Sequence, residues 1–144
     1  GWYKPIHIAL MYVVYCIVIP LKAHLNEETF IYLTSQFILI YCLCLIYDFK
    51  DLYQDKVINL KTIATQLNLK TFKIACVSLI LLYVLLLLFT QNLSLIYSSV
   101  GVGIYLTFLV LFLNNNFKYN FYLLFVDGVL ILQLLLIILF SNND

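Results

Sequence analysis

Charged residues are scarce in this sequence, and their scarcity decides the class of protein. They make up 10% of the 144 residues, whereas hydrophobic residues make up 65%, and the mean hydropathy is +1.03. A soluble domain of this length could not hide so much apolar surface from water. The sequence therefore predicts an integral membrane protein.

Other absences exclude further classes. Arginine is missing altogether and the formal net charge is +1, so we expect no nucleic-acid partner. The sequence has no internal repeat and no proline- or serine-rich linker, so residues 1–144 are expected to form one domain. No positively charged segment with a cleavage site precedes the first apolar stretch, which excludes a signal peptide. Because Gly1 is not an initiator, we expect a fragment of a longer chain.

Cysteine and histidine are too few and too scattered to predict a metal or redox centre. The cysteines lie in apolar stretches, where a buried thiol behaves as a small hydrophobe, and the histidines lack a second ligand three or four residues away. We expect packing roles for the cysteines and membrane-interface positions for the histidines. These residues are Cys16, Cys42, Cys44, Cys76, His7 and His24.

Five apolar stretches approach or reach the roughly 20 residues that a helix needs to cross the hydrocarbon core. They cover residues 6–21, 29–47, 71–90, 93–113 and 121–140. Seven of the eight lysines lie at one set of alternate connections, which the positive-inside rule places in the cytoplasm. The predicted fold is therefore an all-α, multi-span transmembrane helical bundle of five spans, with the acidic loop 48–70 on the cytoplasmic side.

The segment from Tyr47 to Lys56 carries the clearest functional signal, because it places three carboxylates beside an apolar stretch. If the preceding helix continues through it, Asp48, Asp51 and Asp55 fall within an arc of about 60° along roughly 10 Å of helix axis. Mg²⁺ prefers carboxylate oxygens and commonly bridges a few of them to phosphate oxygens. The spacing therefore predicts a Mg²⁺ site that holds a diphosphate. The alternative is a solvated run of charges at the membrane surface.

Asp127 is a further acidic candidate, since it lies about six residues inside the fifth apolar stretch. An ionisable group at that depth is a functional candidate by default. The alternative is a structural carboxylate that pairs with a lysine or a hydroxyl, or one held protonated by apolar surroundings.

The acidic segment and the residues after it resemble the second aspartate-rich motif of the UbiA-type intramembrane prenyltransferases. They read IYDFKDLYQD over residues 46–55 and LKTIATQLN over residues 60–68, where the family has a D-x-x-D-x-x-x-D segment and a T-[LI]-P-x-x-L-G-like stretch. Ala64 stands where a proline is common. Asn68 stands where a glycine is common, and asparagine can adopt the left-handed conformation of a helix end.

The resemblance implies a fold, a function and a set of site residues. The family has nine transmembrane helices around a cavity, and the five predicted spans look like helices five to nine. On this resemblance Asp51 and Asp55 are the catalytic metal ligands that hold a prenyl diphosphate through Mg²⁺, with Asp48 as a third carboxylate. The prenyl group is then transferred to an aromatic or other lipophilic acceptor within the membrane. The candidate substrate-binding residues are Lys50, Lys56, Lys61 and Asp127, of which the lysines offer charge to the leaving diphosphate.

The family's first motif, N-D-x-x-D-x-x-x-D, does not occur in this sequence. The chain therefore looks like the C-terminal half of such an enzyme, and the expected partners are the missing N-terminal half, the substrates and the lipid bilayer. Small residues on the fourth span are expected to form the face on which the other helices pack. They are Ser98, Ser99, Gly103 and Thr107.

Two other functions remain open. A CDP-alcohol phosphotransferase also uses intramembrane aspartates and a divalent metal, but its D-G-x-x-A-R signature is absent, because Asp127-Gly128 is followed by an apolar run. A non-catalytic bundle, serving as an ion pathway or a scaffold, would make the acidic loop an attractor for cations.

Overall fold

Helices form the regular structure of the computed structural model, which describes residues 3–21, 26–113 and 125–141. Helix α1 continues through a π-helical segment, Val13–Val18, into the short α2. No strand occurs in these ranges, so the predicted all-α class is confirmed for them. The helices are α1 (Tyr3–Tyr12), α2 (Ile19–Leu21), α3 (Glu27–Lys50), α4 (Leu52–Val57), α5 (Ile63–Gln66), α6 (Leu69–Leu88), α7 (Leu93–Phe112) and α8 (Gly128–Ser141).

Three helices are long and apolar enough to cross a membrane, namely α3, α6 and α7. Large apolar side chains on their outer faces are exposed, as Ile104 and Phe108 show on α7. Together these features indicate a membrane protein. The first and fifth predicted spans correspond to shorter apolar helices, Tyr3–Val18 and Gly128–Ser141, and their crossing stays a prediction. Residues 121–124 of the fifth span lie outside the described ranges.

An asparagine caps the N-terminus of each of the three long helices. The side-chain Oδ1 of Asn26, Asn68 and Asn92 accepts a hydrogen bond from the backbone N–H three residues later, at 2.8, 2.8 and 3.2 Å respectively. Such a cap satisfies one of the backbone donors that the first turn of a helix leaves unpaired. The left-handed conformation suggested for Asn68 is wrong, because its φ of −71° and ψ of 158° are those of an extended N-cap. Among the described non-glycine residues, the one with a positive φ is Asn59, at 54°.

The three long helices and the shorter α1 and α8 pack in the order in which they follow along the chain: α1 on α3, α3 on α6, α6 on α7, and α7 on α8. Two glycines of α7 allow close approach on opposite sides. A methyl group added at Gly103 would lie 2.7 Å from Cγ2 of Val84 on α6, and one added at Gly101 would lie 2.8 Å from Cδ1 of Leu136 on α8.

The predicted close packing at Gly103 is confirmed, but the prediction that this face stays free for other helices is wrong for Ser98, Ser99 and Gly103; Thr107 is half-buried. Ser98 and Ser99 are fully buried and Gly103 is buried among the described helices of the chain itself. Gly103 lets α6 approach α7, so this residue packs inside the bundle instead of on its surface.

Candidate functional site

A cavity of about 380 Å³ lies beside the C-terminal end of α3, where the acidic segment begins. This volume is within the range of roughly 300–1,000 Å³ that is usual for small-molecule sites. Residues of α1, of α3 and its C-cap, of the segment that leads into α8 and of α8 itself form its walls. Its polar lining is Lys4, Tyr12, Tyr47, Asp48, Asp51 and Asp127, and its apolar lining includes Pro5, Ile8, Ile40, Leu43, Val126 and Leu130.

Asp48 is the buried carboxylate of this cavity. It lies in the last turn of α3 with 8% of its surface exposed. Its Oδ2 atom is buried and has no hydrogen-bond partner within the described part of the chain. Burying an unpaired carboxylate oxygen is costly, so such an atom in a native protein calls for an explanation such as a bound cation.

Asp51 lies where the helix breaks. Helix α3 ends at Lys50, Asp51 takes a φ of −88° and a ψ of 4°, and α4 begins at Leu52. The assumption of one continuous helix through the acidic segment is therefore wrong. Asp51 still reaches the cavity, whereas Asp55, whose backbone N–H donates to the Asp51 carbonyl at 2.9 Å, is not among the lining residues.

Asp127 joins the site from the other end of the sequence. It lies just before α8, and the hydroxyl of Tyr47 donates a hydrogen bond to its Oδ1. Asp127 lines the same cavity as Asp48 and Asp51. The structure therefore brings three of the predicted site residues together across helices that are about 80 residues apart in sequence.

Of the three lysines predicted to bind the substrate, the structure describes the side chains of two, and only one of these two lies near the cavity. Lys50 Nζ lies 3.7 Å from Oδ1 of Asp51 and 5.3 Å from the centroid of the Tyr47 ring, so it touches the rim of the site. Lys61 is exposed and does not line the cavity. The side chain of Lys56 lies outside the part of the chain that the structure describes.

Two residues at the site were not singled out from the sequence. The sequence predicts for Lys4 only a part in orienting the helices, yet Lys4 lines the cavity from α1 and interacts electrostatically with Asp48. Tyr47 supplies the hydrogen bond to Asp127. A signal for Tyr47 was available, because a tyrosine beside an intramembrane carboxylate is a ready hydrogen-bond donor. Lys4 could be found only once the packing of α1 on α3 was known.

The carboxylates were tested for a fit to Mg²⁺. Within the described ranges, no group of three or more histidine, cysteine, aspartate or glutamate side chains is close enough to hold a metal ion by itself. Mg²⁺ is usually bound by one or two carboxylates, with substrate phosphates and waters completing its shell. Asp48 and Asp51 both line the cavity, and Mg²⁺ binding by them, like the three-residue set that includes Asp55, stays a prediction.

No protein-family model, curated protein or solved structure matches this chain.

Proposed function

We propose that this protein takes part in Mg²⁺-dependent prenyl transfer within the membrane, and that its cavity holds the prenyl diphosphate. One observation supports the proposal above all: Asp48, Asp51 and Asp127 line one cavity whose remaining walls are mostly apolar. A prenyl diphosphate has the same division between a charged head and an apolar chain. The resemblance of the acidic segment to the second aspartate-rich motif of UbiA-type enzymes points to the same substrate.

The head of the substrate would lie at the charged end. Asp48 and Asp51 would hold Mg²⁺, which supplies positive charge to the diphosphate oxygens. Lys4 lines the cavity beside Asp48 and offers a direct charge-assisted hydrogen bond to a diphosphate oxygen. In this proposal Lys4 adds to the positive charge that the sequence predicts from Lys50, Lys56 or Lys61.

The chemical step follows from this placement. The allylic carbon–oxygen bond breaks, its electron pair leaves with the diphosphate, and the allylic carbon bonds to a lipophilic acceptor, which loses a proton. Apolar walls such as Leu43 and Leu130 keep water away from the cationic carbon. The rings of Tyr12 and Tyr47, which also line the cavity, can stabilise that cation through their faces.

Binding of the diphosphate substrate tests the proposal without knowledge of the acceptor. The protein, reconstituted in lipid nanodiscs, should bind radiolabelled farnesyl diphosphate more tightly with Mg²⁺ than without it. Asp48→Asn and Asp51→Asn should each weaken binding by roughly tenfold or more, the scale expected for losing an interaction with a charged group. Glu28→Gln is the matched control, since Glu28 is exposed at the opposite end of α3. Wild-type affinity in both aspartate variants would refute the proposed site.

A further inference from the structure

A groove of about 400 Å³ lies between α6 and α7 and shares no lining residue with the cavity at Asp48. Its floor is buried, since Ile80 is 2% exposed and Gly103 is also buried. Its walls are large apolar side chains that are exposed. We name this feature the α6–α7 groove, and its walls are Leu81, Val100, Ile104, Phe108 and Leu111.

The lining of the α6–α7 groove is apolar along its length. Thr107 has the one polar side chain among the lining residues, and its Oγ1 donates a hydrogen bond to the Gly103 carbonyl at 2.8 Å. Gly103 itself leaves the floor open, because a methyl group added there would lie 2.7 Å from Cγ2 of Val84. A narrow apolar groove of this kind suits a hydrocarbon chain.

One end of the α6–α7 groove is positively charged. Lys73 Nζ donates a hydrogen bond at 2.7 Å to the carbonyl of Leu111, which is a wall residue, so the ammonium group lies at the end of the groove. An ammonium group has three donors, and this bond uses one of them. Lys70 is exposed and lies three residues earlier on α6, on a neighbouring part of the same face.

The length of the α6–α7 groove fits a lipid chain. Ile80 and Val84 follow Lys73 by seven and eleven residues, so all three lie on one face of α6. The helix rise places Val84 about 16 Å from Lys73 along the axis. An extended hydrocarbon advances about 1.3 Å per carbon when its bonds are about 1.5 Å long, so roughly twelve carbons fit between these two residues.

We infer that the α6–α7 groove binds an anionic phospholipid, with one acyl chain in the groove and the headgroup phosphate beside Lys70 and Lys73. Basic sites between transmembrane helices on the cytoplasmic side bind anionic headgroups, and the lysine pattern predicts that this end of α6 faces the cytoplasm. A lipid with a net negative charge is favoured over a zwitterionic one, whose own cation offsets the attraction to the lysines. This inference does not depend on the proposed function.

Photocrosslinking measures both the position and the selectivity of the lipid. The protein would be placed in phosphatidylcholine nanodiscs that contain a trace of phosphatidylglycerol or phosphatidylcholine with a diazirine in the middle of one acyl chain. After illumination, peptide mass spectrometry locates the crosslinks, which should fall on walls such as Leu81 and Ile104. Phosphatidylglycerol should crosslink there about 25-fold more than phosphatidylcholine, with about fivefold from each lysine.

Matched variants test the two lysines. Lys70→Gln and Lys73→Gln should each lower that ratio about fivefold, whereas Lys73→Arg keeps the charge and should keep the ratio. Lys61→Gln is the control, because it removes the same charge from an exposed residue outside the groove. If Lys73 served only to pair the Leu111 carbonyl, Lys73→Gln would lower the melting temperature and leave the ratio unchanged.

A variant that fills the groove tests the position of the acyl chain. Thr107→Phe should abolish the crosslinks from both lipids at the groove walls without changing any charge, and its melting temperature checks that it folds. Equal crosslinking of the two lipids in the wild type, or an unchanged ratio in both glutamine variants of Lys70 and Lys73, would overturn the inference. So would a groove that lipid never labels because a second copy of the chain is crosslinked to it.

Discussion

Asp48 is buried, and its Oδ2 atom accepts no hydrogen bond within the described part of the chain. We therefore expect this residue to lower the stability of the fold while serving the proposed site. A carboxylate in that position is costly to bury, and the cost is accepted where a site needs it. We expect Asp48→Asn to raise the stability of the protein in detergent by about 1 kcal/mol, since it removes a buried charge without a hydrogen-bond partner for Oδ2. On the proposed function, the same variant should weaken diphosphate binding. Thermal unfolding followed by circular dichroism measures the first effect, and a fall in melting temperature would contradict this account.

The glycines offer a second test on single residues. Gly103→Ala should destabilise the protein by about 1–3 kcal/mol, because the new methyl group would lie 2.7 Å from Val84, whose branched side chain is stiff. Gly101→Ala should cost less, since the atom it meets is the flexible end of Leu136. Gly128→Ala is the control, because nothing lies within 4 Å of its added methyl group.

Melting temperatures of the three glycine variants should therefore rank in the order 103, 101, 128, lowest first. Equal melting temperatures for Gly103→Ala and Gly128→Ala would show that α6 and α7 do not approach as closely as described.

Single residues also show what the sequence could and could not predict about the site. Asp48, Asp51 and Asp127 were found from their charge, because a carboxylate beside apolar residues is conspicuous in the sequence alone. Asp55 was grouped with Asp48 and Asp51 on the assumption of an unbroken helix. The turn at Asp51 shows that the helix is interrupted there. Lys4 was out of reach, because its place in the site depends on a contact between α1 and α3 that leaves no local pattern.

At the scale of elements, helix length and polarity were predictable and helix ends were less so. The apolar stretches predict α3, α6 and α7, because a segment that spans the hydrocarbon must form the hydrogen bonds of its backbone within itself, as a helix does. The ends depend on local capping. Asn68 closes the first turn of α6 instead of ending a preceding helix. The short helices α4 and α5 lie in a connection for which the sequence predicts only a loop.

The connection between α3 and α6 should face the cytoplasm, because five of the eight lysines lie in it or at its edges. An impermeant maleimide added to intact cells should therefore fail to label Ile58→Cys, an exposed position after α4. It should label Gln91→Cys, in the turn between α6 and α7, which serves as the matched position on the other side. The native cysteine most exposed to the reagent, Cys16, is replaced by serine in both variants. Labelling at 58 and protection at 91 would reverse the orientation.

At the scale of the whole molecule, one acidic segment gives only one wall of the proposed site. A diphosphate held from one side is neither oriented against an acceptor nor fully shielded from water. We expect these 144 residues alone to bind a prenyl diphosphate but to transfer no prenyl group. Co-expression with a membrane segment that carries the first aspartate-rich motif should restore transfer, measured as label in the lipid extract.

The control for that experiment is the same pair of chains with Asp51→Asn in the present one. Transfer should require both chains and the intact aspartate. A scaffold or an ion pathway predicts no transfer in any combination. Efficient transfer by the present chain alone would point instead to a site completed by a second copy of it.

The succession of helix contacts also determines when the cavity comes into existence during synthesis. Each long helix packs on the one made just before it, and contacts between sequence neighbours form early. Within the described residues, Asp127 just before α8 returns to α3 by accepting a hydrogen bond from the hydroxyl of Tyr47. The nascent chain therefore has most of its helices in the membrane while the cavity still lacks a wall. If this cavity is the proposed diphosphate site, ligand binding has to wait until α8 is in place, and a chain that ends before α8 should bind no diphosphate.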